Sequence, residues 1–574
     1  MPAISGQCCD DGWNPRAYAW SGAGSLTGVR DHVWAALTAA RQAGWGGLLA
    51  EQRQYLDAFW DRADVEVDGD AEVQQAVRFA LFQVLQAGAR AENGAIPAKG
   101  LTGPGYSGHT FWDTEIFVLP MFTFTTPDAA ASAARWRHST LPLAIDRAAQ
   151  LGLHGAAFPW RTITGPECSG YWPAGTAAFH VNADIAVAAV RYTDATGDEE
   201  FAQGTGMDLL VHTARLWSSL GHHDAEGRFH IDGVTGPDEY SALADDNIYT
   251  NLMAQRNLLA AADAAKRYPD RARELGVSDQ EPAGWRDAAE AMTIPYDEAL
   301  GVHAQAAGFT RRQVWDFART SPQQYPLMLH FPYFDLYRKQ VIKQADLVLA
   351  MQMHSSAFTP EQKARDFAYY ERLTVRDSSL SACSQAVIAA ETGHLDLAYD
   401  FLGEAALIDL RDLEHNTRDG LHIAFAGRHL DRAGQRLRRA APPGRDRQRR
   451  AAALRRPDPA RVHPVHRWPA PASRGHARPG QVHPDRRRPA RNPSPRPSRH
   501  PHGRETARPA DPDGAVPAPP QPAGWPRAGA PPAHRERDET GRGPWHHGPL
   551  GLETEFVRTA RGSPPRSARI IRIV

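Results

Sequence analysis

The sequence predicts an all-α protein whose buried helices form a toroid, with functional loops at one end of the ring. Three observations favour this fold class. Apolar residues recur at helical spacing from about residue 70 to residue 408. Several of these segments are apolar on nearly every face, which indicates that they are buried among other helices. Long segments rich in Gly, Pro and Trp separate them. The sequence shows no alternation of strands and helices of the kind that would predict a parallel sheet.

The ring is predicted to begin at about residue 70, where Asp70 caps the first helix. Near its end, residues 384–408 are predicted as two helices broken at Gly393. The apolar stripes that indicate helices are Val73, Val77, Leu81 and Val84; Leu210, Ala214 and Trp217; Leu252, Leu258, Leu259 and Ala262; and Ile342, Ala345 and Leu349.

Length, charge and cysteine content limit what the protein can be. A chain of 574 residues is too long for one compact core, so we expect several domains or one large toroid with appendages. The formal net charge of −1 gives no global signal for nucleic acid or a membrane surface. Four scattered cysteines suit a reduced compartment, and no apolar run approaches membrane-spanning length. We therefore expect a soluble, cytoplasmic protein that binds neither nucleic acid nor membranes.

The chain changes character after Ala424. No lysine follows Lys363, and residues 425–574 are rich in Arg, Pro, His, Ala and Gly without apolar stripes. Such a segment cannot bury enough apolar surface to offset chain entropy, so we expect a disordered tail. A basic arm that binds RNA phosphates is one interpretation. The abrupt change and the sparse aromatics favour another, a GC-rich coding sequence translated out of frame.

The stretch TGPDEYS at residues 235–241 places two adjacent acids on a rigid bend. Gly236 and Pro237 restrict and redirect the backbone, so the following side chains are presented in a fixed direction. A surface turn with a solvated acid is the simplest interpretation. However, a helix is predicted to begin soon afterwards, so Glu239 projects from a loop at a helix end, as a catalytic acid in a cleft would. Asp238 is expected to fix the turn.

Further motifs combine Trp and Gly with charged residues, and such aromatic faces beside hydrogen-bonding groups suit sugar rings. In chain order they are KGLTGPGYSGHTFWDTEIFVLP, FPWRTITGPECSGYWPAGTAAFHVNADIA, VIKQADLVLAMQ, LTVRDSSLSACSQAV and NTRDGLHIA. Together with the acidic bend they resemble glycoside hydrolase family 65, the inverting phosphorylases of maltose, trehalose, kojibiose and related α-glucosides. The resemblance runs from about residue 50 to Ala424 and implies an (α/α)6 barrel.

The resemblance implies roles for particular residues. Glu239 matches the general acid of the family. Trp112 and Asp113, together with Lys343 and Gln344, match the residues that hold the glucosyl ring at the cleaved bond. Taken alone, each of them has a structural interpretation: Trp112 as a core anchor, Asp113 as a helix N-cap and Lys343 as a solvated cation.

The phosphate side of the site follows from the same resemblance. His422 matches a residue that helps to bind phosphate, and Ser378 and Ser379 are expected near the same place. Glu167 is expected to line the side that holds the released sugar. No metal or organic cofactor is expected, because inorganic phosphate is itself the co-substrate.

A phosphorylase explains why the acid stands alone. An inverting hydrolase needs two carboxyl groups about 6.5–9.5 Å apart, one to protonate the leaving oxygen and one to activate water. Inorganic phosphate is already an anionic nucleophile, so it needs only the acid and a cationic or N–H-rich pocket opposite. A general acid must carry a proton near neutral pH, which predicts an apolar or anionic surround for Glu239. The expected products are β-glucose 1-phosphate and a free sugar.

The chain departs from the family at both ends. Residues 1–29 are too few for the β-sandwich that opens the family's chains, so we expect an unstructured remnant, followed by linker helices at 30–68. Residues 69–424 are assigned to the catalytic barrel and 425–574 to the tail. The family continues past this point with a Ser/Gly-rich loop that completes the phosphate site, whereas this chain reads FAGRHLD. We therefore expect an incomplete barrel and a weakly active or inactive chain.

Alternative functions stay open at this point. A hydrolase of the same family, of the α,α-trehalase type, would release glucose without phosphate. A sugar-binding relic would bind without turnover, and an RNA-binding protein would retain RNA through the tail. The linkage that is cleaved cannot be read from the sequence, because loops on the side of the released sugar set it. A homodimer is also left open.

Overall fold

The structure is a computed structural model, and it describes residues 3–9, 12–21, 26–67, 70–88, 94–426 and 569–573. These residues all belong to one compact unit of the chain, formed by residues 1–457 and 566–574. A second unit, residues 458–565, lies outside the described residues. Most of the predicted disordered tail therefore lies outside them as well. No helix in the described part of the chain is both long and apolar enough to cross a membrane.

The described residues are mostly helical, as the sequence predicts. The α-helices, in chain order, are α1 Leu26–Ala63, α2 Ala71–Gly88, α3 Leu119–Thr125, α4 Pro127–Ser139, α5 Leu141–Gln150, α6 Trp172–Ala177, α7 His180–Thr196, α8 Glu199–Phe201, α9 Met207–Leu220, α10 Ile248–Arg267, α11 Pro269–Glu274, α12 Glu281–Glu290, α13 Tyr333–Leu336, α14 Asp346–Met353, α15 Pro360–Glu371, α16 Ser381–Glu391, α17 Leu395–Leu407 and α18 Ile423–Ala426.

The helix boundaries follow from local chemistry. The backbone of α1 is interrupted at Gly44, whose φ of 65° is a left-handed conformation that glycine adopts without a Cβ penalty. The predicted cap of α2 is confirmed, because Asp70 Oδ1 accepts the backbone N–H of Val73 at 3.0 Å. The predicted break between α16 and α17 is also confirmed at Gly393, where φ is 88°.

The helices pack one on the next around a single large core. From α2 the contacts run through α17, α16 and α14 to α10, and from α10 through α7 to α3. The π-helical segment Thr114–Val118 and α18 then lead back to α2. The apolar stripes predicted on α9 and α10 point into this core, where Leu252 is 2% exposed and Trp217 is fully buried.

Strands in the described residues are few, and most of them are two-residue pairs. They are β1 Ala3–Cys9, β2 Gly12–Ser21, β3 Thr110–Phe111, β4 Arg161–Thr162, β5 His222–His223, β6 Phe229–His230, β7 Tyr296–Asp297, β8 Val302–His303, β9 Gln313–Val314, β10 Lys339–Gln340 and β11 Arg569–Ile573. The pair β3–β4 is antiparallel and joins two of the predicted sugar-binding motifs.

The structure corrects the prediction at both ends of the chain. Residues 1–29 were expected to be unstructured, but β1 and β2 pair as an antiparallel hairpin within them. The tail was expected to be disordered, but its last segment, β11, pairs with β2, aligning Ile571 with Ala19. The segment RIIRI is rich in β-branched residues, which favour strands. The composition of the tail as a whole conceals this short signal.

A second correction concerns the stripe of Ile342, Ala345 and Leu349. The helix α14 begins only at Asp346, and Ile342 lies before it in a bridge with Thr374. The N–H groups of residues 343 and 344 donate to the carboxylate of Asp238 instead of forming helical hydrogen bonds. Residues 343–345 are therefore a loop, not the start of the helix.

Candidate active site

A cavity of about 480 Å³ lies among the loops that connect the helices. It collects side chains from the motifs quoted in the sequence analysis, which are far apart along the chain. All eight predicted site residues line it: Trp112, Asp113, Glu239, Lys343, Gln344, Ser378, Ser379 and His422. The structure thus brings together the predicted acid, the predicted glucosyl-binding residues and the predicted phosphate-binding residues.

The acidic bend is held by buried polar contacts beneath the cavity. A Cβ atom on Gly236 would overlap Asp346 Oδ2 and the amide of Asn247, so only glycine fits at this position. Asp238 is fully buried, and its backbone N–H donates to Asp346 Oδ1 at 2.7 Å. Burial raises the pKa of Asp346, and the adjacent Asp238 carboxyl raises it further. The bend is therefore held by buried side chains and is not a solvated surface turn.

The carboxylate of Asp238 joins the bend to the loop of Lys343. Its Oδ1 accepts the backbone N–H of Lys343 at 2.9 Å and that of Tyr240 at 3.2 Å, and Oδ2 accepts from Gln305 Nε2 at 2.8 Å. The predicted role of Asp238 in fixing the turn is confirmed by these contacts. The same contacts also set the position of Lys343 beside Glu239, because the Asp238 carboxylate binds the backbone of Lys343 and the backbone that follows Glu239.

Glu239 is one member of an ion pair at the cavity wall. Lys343 Nζ lies 3.0 Å from Glu239 Oε2, with 12% and 25% of the two side chains exposed. Burial disfavours the charged form of Lys343, but the carboxylate of Glu239 outweighs burial and raises the pKa of Lys343. The Tyr171 hydroxyl donates to the backbone oxygen of Glu239 at 2.9 Å. The surround of Glu239 therefore contains a cation, which differs from the apolar or anionic surround that we predicted.

Asp113 presents its carboxyl group to the cavity. It stands at the first position before the π-helical segment 114–118, but its side chain makes no capping hydrogen bond. The N-cap interpretation of the sequence is therefore wrong. Burial raises the pKa of Asp113 to about 7, with a further contribution from the negative charge of Glu239. At neutral pH this carboxyl can accept or donate a hydrogen bond to a sugar hydroxyl.

Trp112 combines the two roles that its sequence left open. Its side chain is only 2% exposed and belongs to the core, yet it also lines the cavity. Its ring meets the ring of the buried His180 edge to face, at a centroid distance of 5.0 Å and an angle of 90°. Asp184 in turn lies 2.8 Å from His180 Nδ1. The wall formed by Trp112 is thus supported from behind.

Gln344 and Ser378 form one hydrogen-bonded unit. Gln344 Nε2 donates to the carbonyl of Pro237 at 2.6 Å, and Gln344 Oε1 accepts from the Ser378 hydroxyl at 2.6 Å. The hydroxyl proton of Ser378 is therefore engaged by Gln344. This geometry favours a role for Ser378 in orienting Gln344, whereas Ser379 lines the cavity beside it.

His422 is oriented by Asp409. Asp409 Oδ1 lies 2.7 Å from His422 Nδ1, and Oδ2 accepts the backbone N–H of His422 at 2.9 Å. With Nδ1 donating to the carboxylate, Nε2 is the ring nitrogen left to interact with a ligand in the cavity. A histidine held in this way can donate to an anion when its ring is protonated.

The sequence analysis missed other residues that line the cavity. All but Glu414, which precedes NTRDGLHIA by two positions, occur within the motifs that we quoted. A single lysine, arginine or tyrosine in a motif forms no pattern of its own. The additional polar and aromatic residues are Lys99, Tyr106, Phe111, Trp160, Arg161, Ser169, Tyr171, Asp377, Glu414 and Asn416.

One of the missed residues, Tyr106, has an unusual backbone. Tyr106 and Ser107 have φ values of 56° and 51°, in a region that residues other than glycine rarely adopt. Such conformations cost about 1–3 kcal/mol and cluster at functional sites. The ring of Tyr106 packs edge to face on Phe111 at 5.1 Å. The adjacent Gly-Pro-Gly sequence was the available signal for a strained turn.

Two of the missed residues are carboxylic acids. Asp377 Oδ2 accepts the Tyr240 hydroxyl at 2.5 Å and the N–H of Leu327 at 2.7 Å. Burial raises the pKa of Asp377, and it also raises the pKa of Glu414 against the opposing effect of His422. Asp377 is thus committed to its protein donors, whereas Glu414 is the better placed to act on a ligand.

Glu167 does not have the role that we expected. Its carboxylate accepts the backbone N–H groups of Trp160 at 2.6 Å and of Ser169 at 2.8 Å. It therefore holds together the loop that carries Trp160 and Tyr171 to the cavity, instead of lining the sugar site itself.

Within the described residues, a group with metal-ligand spacing consists of His230, Asp232 and Asp246. The ring nitrogens of His230 lie 2.7 Å from Asp246 and 3.1 Å from Asp224. Burial lowers the pKa of His230, but these two carboxylates outweigh it and raise the pKa overall. His230 is thus already paired with two carboxylates, and the group fits a hydrogen-bonded network better than a metal site.

The chain is similar to a known family of proteins. The family model for the glycosyl hydrolase family 65 central catalytic domain matches residues 78–431. An uncharacterized glycosyl hydrolase of Mycobacterium tuberculosis is 64% identical over 408 residues, which are 71% of this chain and 52% of the relative. The α,α-trehalose phosphorylase of Geobacillus stearothermophilus is 47% identical over 390 residues, 66% of this chain and 51% of the relative.

A solved structure described as a kojibiose phosphorylase from the human microbiome is also similar. It matches with a TM-score of 0.68 and 30% sequence identity, over 71% of this chain and 62% of that chain. The chain spans about half the length of the curated relatives it matches.

Proposed function

The chain belongs to glycosyl hydrolase family 65, and from this premise we propose that residues 69–424 form the catalytic domain of an inverting phosphorylase of α-glucosidic disaccharides. Relatives named trehalose, kojibiose and maltose phosphorylase support this proposal. The observation that carries it is the convergence of all eight predicted site residues on one cavity. We further propose that the helices of this domain belong to an (α/α)6 barrel.

In the proposed reaction Glu239 is the general acid. A phosphate oxygen attacks the anomeric carbon from the face opposite the glycosidic bond, and that bond breaks with its electron pair going to the leaving oxygen. Glu239 gives its proton to this oxygen. The attacking hydrogen phosphate loses its own proton to the solvent, and Glu239 takes one proton back from the solvent afterwards. Inversion of the α-glucoside gives β-glucose 1-phosphate and a free sugar. The co-substrates are a disaccharide and inorganic phosphate, and no metal or organic cofactor takes part.

The ion pair between Glu239 and Lys343 has a consequence for substrate binding. Glu239 must be released from Lys343 before it can hold a proton for the leaving oxygen. A glucosyl hydroxyl offers Lys343 an alternative acceptor, and Asp113 and Gln344 line the same cavity. Binding of the sugar thus replaces the contact between Lys343 and Glu239 by a contact between Lys343 and the sugar. Glu239 is then able to act as the general acid only when substrate is bound.

Glu414 favours a second candidate function. Glu414 is exposed at the surface of the chain, but its carboxyl lines the same cavity, and partial desolvation there raises its pKa. In an inverting hydrolase of the α,α-trehalase type, a second carboxylate activates water in place of phosphate. Glu414 would serve as that base.

The test is an assay of the purified full chain with trehalose, maltose and kojibiose, each with and without inorganic phosphate. Phosphorolysis gives β-glucose 1-phosphate, detected by ³¹P NMR, only when phosphate is present. Glu239→Gln should lower kcat by about 10²–10⁴-fold, the usual contribution of a general acid. Glucose release without phosphate would select the hydrolase, and sugar binding without turnover would select the relic.

A further inference from the structure

The cavity contains a buried lysine that forms no ion pair with any carboxylate of the described residues. Lys99 is 5% exposed and lines the cavity. The other largely buried lysines each lie 3.0 Å from a carboxylate, Lys343 from Glu239 and Lys363 from Glu391. Among the residues that the structure describes, none offers Lys99 a carboxylate at ion-pair distance. Its ammonium group instead lies over the ring of Tyr106, 5.7 Å from the centroid.

Burial of an unpaired ammonium group is unfavourable. Burial lowers the pKa of Lys99, while the more distant Asp409, Asp419 and Asp113 oppose this effect only in part. Asp409 is already committed to the ring and backbone of His422. A buried charge without a protein partner is typical of a place where a ligand supplies the opposite charge.

Lys99 stands on a loop that packs directly on the segment carrying His422. The backbone oxygen of Lys99 accepts the hydroxyl of Thr102 at 2.7 Å, and the same hydroxyl oxygen accepts the N–H of Leu421 at 2.8 Å. The Cβ of Lys99 also lies against Gly420, leaving no space there for a side chain. Lys99 and His422 therefore line the cavity from adjoining segments whose relative position is fixed.

We propose that Lys99 is a principal cation for the inorganic phosphate co-substrate and binds it together with His422. This inference rests on the proposed phosphorolysis, since a neutral sugar hydroxyl would not supply the charge that Lys99 lacks, whereas a phosphate dianion does. Ser379, on the wall of the same cavity, offers a hydroxyl donor. The phosphate site thus draws on residues present before the chain changes character at residue 425.

The experiment measures binding of inorganic phosphate to the full chain by isothermal titration calorimetry. Lys99→Met removes the charge and keeps most of the side-chain volume, and Lys99→Arg keeps the charge. Lys266→Met is the matched control, because Lys266 is exposed at the end of α10. Lys99→Met should weaken phosphate binding by about tenfold or more, the usual effect of losing a charge-assisted hydrogen bond. Lys99→Arg should retain part of the affinity, and Lys266→Met should bind as the wild type does.

Thermal unfolding separates this role from a structural one. Without phosphate, Lys99→Met should unfold at the same temperature as the wild type or higher, because it removes a buried unpaired charge. Phosphate should raise the unfolding temperature of the wild type but not that of Lys99→Met. In turnover, the KM for phosphate should rise in Lys99→Met while the KM for the disaccharide changes little.

Each contrary outcome has a distinct meaning. Unchanged phosphate binding in Lys99→Met, a wild type that binds no phosphate, or an effect confined to the KM of the disaccharide would overturn the inference. If Lys99→Met unfolds at a much lower temperature, Lys99 is structural and the inference is again wrong. If phosphate binds through Lys99 but the disaccharide is cleaved by water alone, the proposed phosphorolysis fails and the anion site stands.

Discussion

The relative position of Glu239 and Lys343 depends on the carboxylate of Asp238. One oxygen of this buried group accepts the backbone N–H groups of Tyr240, Lys343 and Gln344, at 3.2, 2.9 and 3.4 Å. Asp238→Ala would leave these buried donors without their partner. Hydrogen bonds to an ionised group contribute about 1.5–3 kcal/mol each, and removing one member of a buried charged cluster costs about 3–5 kcal/mol. We expect Asp238→Ala to lower the free energy of unfolding by about 3–5 kcal/mol.

Asp238→Asn should be much milder. The new amide keeps one oxygen for the backbone N–H groups. Its NH₂ group would face Gln305, whose Oε1 has no hydrogen-bond partner among the described residues and can turn to accept from it. The expected loss in the free energy of unfolding is therefore about 1–2 kcal/mol. Because the loop of Lys343 would shift slightly, we also expect kcat to fall by about tenfold or more.

Urea unfolding followed by tryptophan fluorescence measures these losses. Asp263→Asn is the control, since Asp263 forms a surface ion pair with Arg286 and is 70% exposed; such pairs contribute at most about 1 kcal/mol. The Asp238 carboxylate does not hold these loops if Asp238→Ala lowers the free energy of unfolding no more than Asp263→Asn does. Nor does it hold them if Asp238→Asn is folded and fully active, because the carboxylate would then not be what positions the two catalytic-site loops.

Other changes probe the same loops. Gly236→Ala should lower the free energy of unfolding by about 1–3 kcal/mol through overpacking. Gly284→Ala, at an exposed position of α12 where an added Cβ meets nothing within 4 Å, should raise it by about 0.5–1 kcal/mol. Equal effects in urea unfolding would contradict the predicted overlap. Ser378→Ala should raise the KM for the disaccharide about two- to tenfold by freeing Gln344, and a rise in the KM for phosphate instead would favour direct phosphate binding. Burial raises the pKa of Asp346 above 3.8, so the folded state keeps a proton that the unfolded chain releases. The free energy of unfolding should therefore fall as pH rises above about 4. Asp346→Asn should flatten this fall, and a variant with the pH profile of the wild type would contradict this prediction.

The helices and the members of the site could be predicted from the sequence because each leaves a repeated or extended signal. Helical periodicity located α2, α9 and α10, and the order of long motifs identified eight residues that the structure gathers in one cavity. These signals depend on several positions acting together, so they survive without knowledge of the fold.

The remaining features depend on contacts between distant segments, which no local pattern encodes. The sequence could not show that Asp238 takes the N–H groups of residues 343 and 344, and the helix α14 therefore begins later than its apolar stripe predicts. The ion pair of Glu239 with Lys343 was missed for the same reason. Lys99 attracted no attention as a single lysine, because only its burial makes it unusual.

The contact between Asp238 and Lys343 joins residues 105 positions apart. Residues 309–338, which are largely irregular, lie between them in the sequence. Glu239 and Lys343 are nevertheless held beside each other by the Asp238 side chain, whatever course the intervening segment takes. Met328 of this segment lines the cavity, so we expect changes of length or composition there to alter the cavity wall while the Asp238 contact holds the two loops together. If the chain has the proposed activity, we expect an exchange of this segment to change sugar selectivity more than the rate of the chemical step.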